Sequence, residues 1–201
     1  MRILHVNYYD LYGGAARAAY RIHRSLAGSG VDSHMRVMHR ISDDVSVQNG
    51  PPEGCGPISR RIRNLLAQLP LRGFQTANPI IHSAAWPDTG LCRELNASPA
   101  DVLNLHWLGT GTLSIEEIGQ INKPLVWTLH DMWAFCGAEH YANDTPDSRF
   151  RIGYQRDNCP ADEHTKDLNR QTWLRKRRHW RRPMHIVCPS HWLANCARES
   201  T

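Results

Sequence analysis

Gly13-Gly14, at the head of an alanine-rich run that carries Arg17, and His130-Asp131, at the end of the apolar run 124–129, are the residues of this chain best suited to chemistry. A glycine turn that opens a helix leaves free amides and the positive end of the helix dipole facing outward, a setting that favours anions such as phosphate. The complete dinucleotide fingerprint is absent, because Ala15, Ala16 and Arg17 follow where a third glycine would be needed. A simple tight turn is the alternative. His130 is a polar residue placed directly after a buried strand, which costs desolvation unless it meets a ligand or a partner. Asp131 is expected to orient or charge-stabilise it, leaving one imidazole nitrogen for a hydroxyl-bearing ligand; a histidine bonded to a neighbouring loop is the bland alternative. His106, after another strand, is a similar candidate.

Two further clusters carry weaker signals. Cys136, His140, Cys159 and His164 could supply two thiolates and two imidazoles to zinc, but their spacing matches no compact zinc pattern, and no metal is assigned. Trp173, Arg175, Lys176, Arg177, Arg178, Trp180, Arg181 and Arg182 mix rings with positive charge, as single-strand nucleic-acid surfaces do. Here the cluster falls on an amphipathic helix whose tryptophans could simply anchor it to the core, so an anionic membrane surface is preferred to nucleic acid.

The elements that must position these residues follow from hydrophobic patterning. The run 1–6, the glycine turn, a helix with Ala15, Ala18, Ala19, Ile22 and Leu26 on one face, and a second strand over 31–38 make a βαβ unit. Residues 43–57 are a polar, Pro- and Gly-rich loop. Ile58, Ile62, Leu65, Leu66 and Leu69 form a helical stripe opposed by Arg60, Arg61 and Arg63, and Pro70 ends it. Residues 71–99 carry no assignment. Further strands are expected at 101–105, 124–129 and 184–188, with a capping box at Ser114 and Glu117, a helix over 167–180 and a last helix capped by Ser190. Alternating strands and helices predict an α/β fold: a Rossmann-like parallel sheet with helices on both faces.

At 201 residues with 41% hydrophobic content, the chain predicts one domain spanning 1–201. No apolar stretch approaches the roughly 20 residues of a membrane-spanning helix, and the start lacks a signal-peptide core, so a soluble cytoplasmic protein is expected. The six cysteines show no tight framework and are read as reduced. The net charge of +5 is uneven: residues 166–182 hold eight Lys and Arg against the single acid Asp167, which suits an anionic partner.

The Gly13-Gly14-Ala-Ala-Arg17 start, the Leu105-His-Trp107 strand end and Trp127-Thr-Leu-His-Asp-Met-Trp133 together resemble the N-terminal domain of family 4 glycosyltransferases, in the bacterial branch that builds colanic acid, capsule and other cell-surface polysaccharides. Phe135-Cys-Gly-Ala-Glu-His-Tyr141 and residues 167–176 resemble that branch too. The resemblance implies the N-terminal half of a GT-B fold, in which two Rossmann-like domains face across a cleft. It implies that Gly13 and Gly14 approach the donor diphosphate, that His130 contacts or positions the transferred sugar, and that Arg17 and Asp131 support them. The family retains anomeric configuration and generally needs no metal or other cofactor. The implied partners are a nucleotide-sugar donor, a glycan or lipid-diphosphate-linked acceptor, an anionic membrane touched peripherally, and a C-terminal donor-binding domain that this chain lacks. The chain is therefore expected to be truncated and inactive alone. A non-catalytic module that binds glycan, nucleotide or anionic polymer is the competing class.

Overall fold

A computed structural model describes residues 1–50, 62–63, 65–109, 111–163 and 166–201. Six strands, β1 (Arg2–Tyr9), β2 (Asp32–His39), β3 (Val47–Asn49), β4 (Val102–Leu105), β5 (Leu125–Thr128) and β6 (His185–Val187), form one sheet in the order β3-β2-β1-β4-β5-β6. Every pairing is parallel. The helices are α1 (Gly14–Gly28), α2 (Leu91–Ala97), α3 (Ile115–Gly119), α4 (Arg149–Ile152), α5 (Leu168–His179) and α6 (His191–Arg198). The architecture is Rossmann-like α/β, with the chain reversing its direction of winding between β1 and β4.

The pleat of β1 explains why a core forms on each face of the sheet. Leu4 and Val6 belong to the larger one, with Leu91, Leu95, Leu103, Leu105, Ile115, Ile118, Trp127 and Trp173. The alternate residues of β1 point to the other face, where α1 packs against β1 and β2 and where Ala19, Met35, Val37 and Val47 make a smaller core. His5 therefore lies on the α1 side, its ring 5.9 Å from that of His23.

Helix ends follow the expected chemistry. Ser114 caps α3 with a complete capping box closed by Glu117. Glu117 also accepts from the amides of Thr89 and Gly90, which ties the entrance of α2 to α3. Asp167 caps α5 and Ser190 caps α6.

Three elements differ from the expected pattern. β3 lies inside the stretch read as a loop at 43–57; it has three residues, and only Val47 is buried. α2 occupies part of the unassigned stretch 71–99, and α4 lies between β5 and α5, where the sequence suggested no element. The stripe at 58–69 falls partly outside the described residues; within them, residues 62, 63 and 65–67 are helical, with Ile62 and Leu65 exposed.

Candidate functional site

Parallel strands present their carboxyl ends at one edge of the sheet, and in folds of this kind ligands bind where the winding reverses, here between β1 and β4. Three histidines are threaded beneath that edge. His5 sits within β1, His106 follows β4, and His130 follows β5. His5 Nδ1 lies 3.0 Å from His106 Nε2, and His106 Nδ1 lies 3.0 Å from His130 Nε2. The backbone fixes this line: the His106 amide donates to Val6 O at 2.9 Å, and Trp127 Nε1 donates to His106 O at 3.0 Å. Asn7 clamps the same strand ends, accepting from the Trp107 amide.

All three imidazoles are neutral near pH 7. Burial, aided by the nearby His23, lowers His5 to about 4. His106 is pushed well below the ordinary histidine value by burial and by its two histidine neighbours. Burial lowers His130 as well, with Asp131 opposing the shift in part. Three neutral rings carry three ring protons, and two of these fill the two N···N contacts. The third must sit at an end of the line, on His5 Nε2 or on His130 Nδ1. His5 Nε2 is buried with no hydrogen-bond partner among the described residues. An orphaned N–H is the rarer defect in buried sites, so the proton belongs on His130. His130 thus presents a neutral N–H donor at the end of β5, suited to a hydroxyl or phosphoryl oxygen.

Asp131 does not perform the orienting role expected of it. Its Oδ2 accepts from His140 Nδ1 at 2.6 Å and its Oδ1 from the Trp133 amide at 3.0 Å. His140 Nε2 in turn accepts from the Ser83 hydroxyl at 2.8 Å. Carboxylate, imidazole and hydroxyl stand in the order used by hydrolytic triads. Here His140 is buried against the rings of Trp107 and Trp133, so the three groups brace the turn. His130 is steadied instead by His106 and by Tyr141, whose hydroxyl donates to His130 O at 3.0 Å.

The glycine turn is open. Gly13 has φ +86°, which favours glycine, and a Cβ at Gly13 or Gly14 would meet nothing within 4 Å. Arg17 is exposed, and its Nε donates to Leu11 O at 3.3 Å. Asp10 anchors the turn: its buried carboxylate accepts from the amides of Leu11, Ile41 and Ser42. Burial works to raise its pKa, but the Ser42 and Ile41 bonds outweigh that and hold it below the usual carboxylate value.

The basic helix α5 is not uniformly a charged surface. Lys176 is wholly turned inward, donating to Trp133 O, to Cys136 O at 3.1 Å and to Gly137 O at 2.7 Å, with its ammonium 3.9 Å from the centre of the Trp133 ring. Burial lowers its pKa to about 7. Arg175 pairs with Glu116 and donates to Ala84 O and Ala85 O. Trp173 and Trp180 anchor the helix through Thr201 O and Ile115 O. Arg177, Arg178, Arg181 and Arg182 remain exposed. Replacing these four by glutamine is expected to weaken co-sedimentation with phosphatidylserine vesicles by at least about tenfold, on the basis of about 1 kcal/mol per basic residue near an anionic surface. Undiminished co-sedimentation would return them to an ordinary solvated face.

Of the four residues considered for zinc, the described three, Cys136, His140 and Cys159, form no ligand cluster. Both nitrogens of His140 are engaged by Asp131 and Ser83, while His164 lies outside the described residues. Cys159 instead approaches Glu163 and Asp167, but Arg149 occupies those carboxylates, 2.5 Å from Asp167 and 3.8 Å from Glu163. The five described cysteines carry free thiols. Among the described residues, no helix is long and apolar enough to cross a membrane.

Sequence reasoning missed His5, Ser83 and Asp10, and gave His140 only as a metal candidate. A histidine at an alternate position of an otherwise apolar strand was the available signal for His5. Comparisons with protein-family models, curated proteins and solved structures return no match for this chain.

Proposed function

We propose that this chain is the acceptor-side half of a retaining glycosyltransferase that passes a sugar from a nucleotide-sugar donor to a cell-surface polysaccharide or lipid-linked glycan. The supporting observation is the neutral His130 donor at the end of β5, on the same strand-end edge as the open Gly13-Gly14 turn at the start of α1. The turn offers amides to a diphosphate whose charge grows as the sugar leaves. His130 offers a hydrogen bond to the transferred sugar without adding charge, and Arg17 can swing to the leaving phosphate. Asp131 contributes indirectly, by holding the turn that carries His130.

A second Rossmann-like half would complete the donor site, and the exposed arginines in and just after α5 would hold the enzyme at the cytoplasmic membrane face. The test compares this chain alone with the chain joined to the sequence encoded immediately after it. Radiolabelled nucleotide sugars are offered with membrane-extracted lipid acceptors. Transfer by the joined form, with little or none by this chain alone, is the expected outcome. Absence of transfer in both, with nucleotide or glycan still bound, would favour a non-catalytic binding module instead.

A further inference from the structure

Asp131, His140 and Ser83 brace the turn after β5, but bracing does not exhaust what surrounds them. His140 Nδ1 donates to Asp131 Oδ2 at 2.6 Å, and the Ser83 hydroxyl donates to His140 Nε2 at 2.8 Å. In this order the nitrogen that meets the hydroxyl is the basic one, as nucleophilic catalysis by serine requires. The backbone fixes the pair. His82 and Glu139 form an antiparallel bridge, flanked by the Ser83 amide donating to Ala138 O at 2.7 Å and the His140 amide donating to Ile81 O at 3.1 Å. Ser83 is 6% exposed and stands in the wall of a cavity of about 490 Å³, with Tyr8, Leu71, Ala84, Ala85 and Trp86. That volume suits a small organic ligand.

The peptide units after Ser83 supply what a serine nucleophile needs next. The amides of Ala84 and Ala85 have no hydrogen-bond acceptor among the described residues, although both residues are buried. Unpaired buried amides are rare. Their direction is set from behind: Trp133 Nε1 donates to Ser83 O at 2.9 Å, and Arg175 Nη1 donates to Ala84 O at 2.6 Å. In a trans peptide the N–H points opposite to its C=O. Both amides therefore face away from these anchors, and both residues line the same cavity as Ser83. Ala85 holds φ +44°, a conformation unfavourable for a residue with a Cβ and of the kind that collects at functional sites. The amide of the residue after a serine nucleophile is a common donor to the oxyanion.

We propose that Ser83 is the nucleophile of an activity separate from sugar transfer, the hydrolysis of short-chain acyl esters bound in this cavity, with His140 as general base, Asp131 orienting it and the Ala84 and Ala85 amides as the oxyanion site. Ser83 Oγ adds to the ester carbonyl carbon as its proton passes to His140 Nε2, and the carbonyl π pair moves onto oxygen, where the two amides hold it. The C–O bond to the alcohol then breaks, and His140 returns the proton to the departing oxygen, leaving acyl-Ser83. Water repeats the sequence with His140 as base, releasing the carboxylic acid and restoring the hydroxyl. The rings of Trp107 and Trp133, 5.7 and 6.0 Å from that of His140, favour the imidazolium formed in passing. Tyr8, Leu71 and Trp86 give the acyl chain an apolar wall.

The test incubates the whole chain with a fluorophosphonate probe, locates the adduct by peptide mass spectrometry, and follows hydrolysis of p-nitrophenyl acetate and butyrate in parallel. One adduct per chain, on Ser83, is expected, together with ester turnover. Ser83→Ala should abolish both. Asp131→Asn, which keeps an oxygen for the Trp133 amide but leaves His140 in the wrong tautomer, should slow both at least a hundredfold. Circular dichroism melts report whether each variant is folded, and the adduct's position in the unmodified chain decides the matter if Ser83→Ala unfolds. An adduct only on other residues, or none, would overturn the proposal. So would an adduct on Ser83 without turnover of either ester, turnover that persists in folded Ser83→Ala, or labelling of folded Asp131→Asn within about threefold of the unmodified rate.

Discussion

Replacing Lys176 by methionine lowers the free energy of unfolding by about 3 kcal/mol, the order expected when three buried carbonyls lose one shared donor group and water recovers part of the loss. The expectation follows from where its three ammonium protons go. Trp133 O, Cys136 O and Gly137 O all lie in the turn that follows His130-Asp131, and a thioether donates to none of them. Each carbonyl left buried without a donor costs about 1–3 kcal/mol, less whatever water recovers. The methionine chain is long enough to fill the volume, so a cavity contributes little. The turn cannot simply move away to find water, because Gly137 lies against α5 so closely that a Cβ there would come within 2.5 Å of Asn169 O. Urea unfolding followed by tryptophan fluorescence measures the loss, and Trp133 should become more mobile even before the global transition. A change below about 1 kcal/mol would mean that the ammonium is not holding this turn.

Lys176 also shows where the sequence was legible and where it was not. Among eight basic residues between 166 and 182, charge pattern alone does not separate an inward lysine from its solvated neighbours. Helical spacing does. Asn169, Thr172, Trp173 and Lys176 recur at intervals of three, one and three, and all four are buried. The stripe is polar, so a search for apolar periodicity passes over it. By contrast α1 and the strands with sustained apolar runs were readable, as was the α3 capping box, because each rests on local pattern that tertiary contacts reinforce. β3 was not, since three residues with one buried side chain carry no usable period.

The site divides in the same way. The glycine turn and His130 were recognisable by their place at strand ends. The partner of Asp131 was not, because adjacency in sequence does not set direction in space. In a tight turn successive side chains diverge, and Asp131 finds His140, nine residues on, instead of the histidine beside it. His5 and His106 meet across strands separated by about a hundred residues, a relation fixed only by the parallel register that sets His5 opposite Asn104.

The histidine line makes the second large prediction. In a joined enzyme, His130→Ala should lower kcat/KM by roughly 10²–10³, the loss typical of removing one preorganised donor from a reacting centre. His106→Ala should cost less, about tenfold, because it leaves the donor present but frees its tautomer. Long-range proton–nitrogen NMR of the imidazoles separates this from a merely structural effect: His130 should carry its proton on Nδ1 in the unmodified chain and populate both tautomers in the variant. A His130 protonated on Nε2 in the unmodified chain would reverse the assigned direction of the line. The same neutral rings set a pH dependence. His5 titrates at about 4 when folded and near 6.5 when unfolded, so between those values the unfolded chain binds more protons and stability falls as pH falls. For His5 alone the loss from pH 7 to pH 5 is about 2 kcal/mol, with no comparable loss above pH 7. His106 and His130, also lowered, add in the same direction. Urea titrations at pH 7.5, 6 and 5 should show the slope, and His5→Asn should flatten it; a stability that stays level down to pH 5 would mean that these rings are not buried neutral.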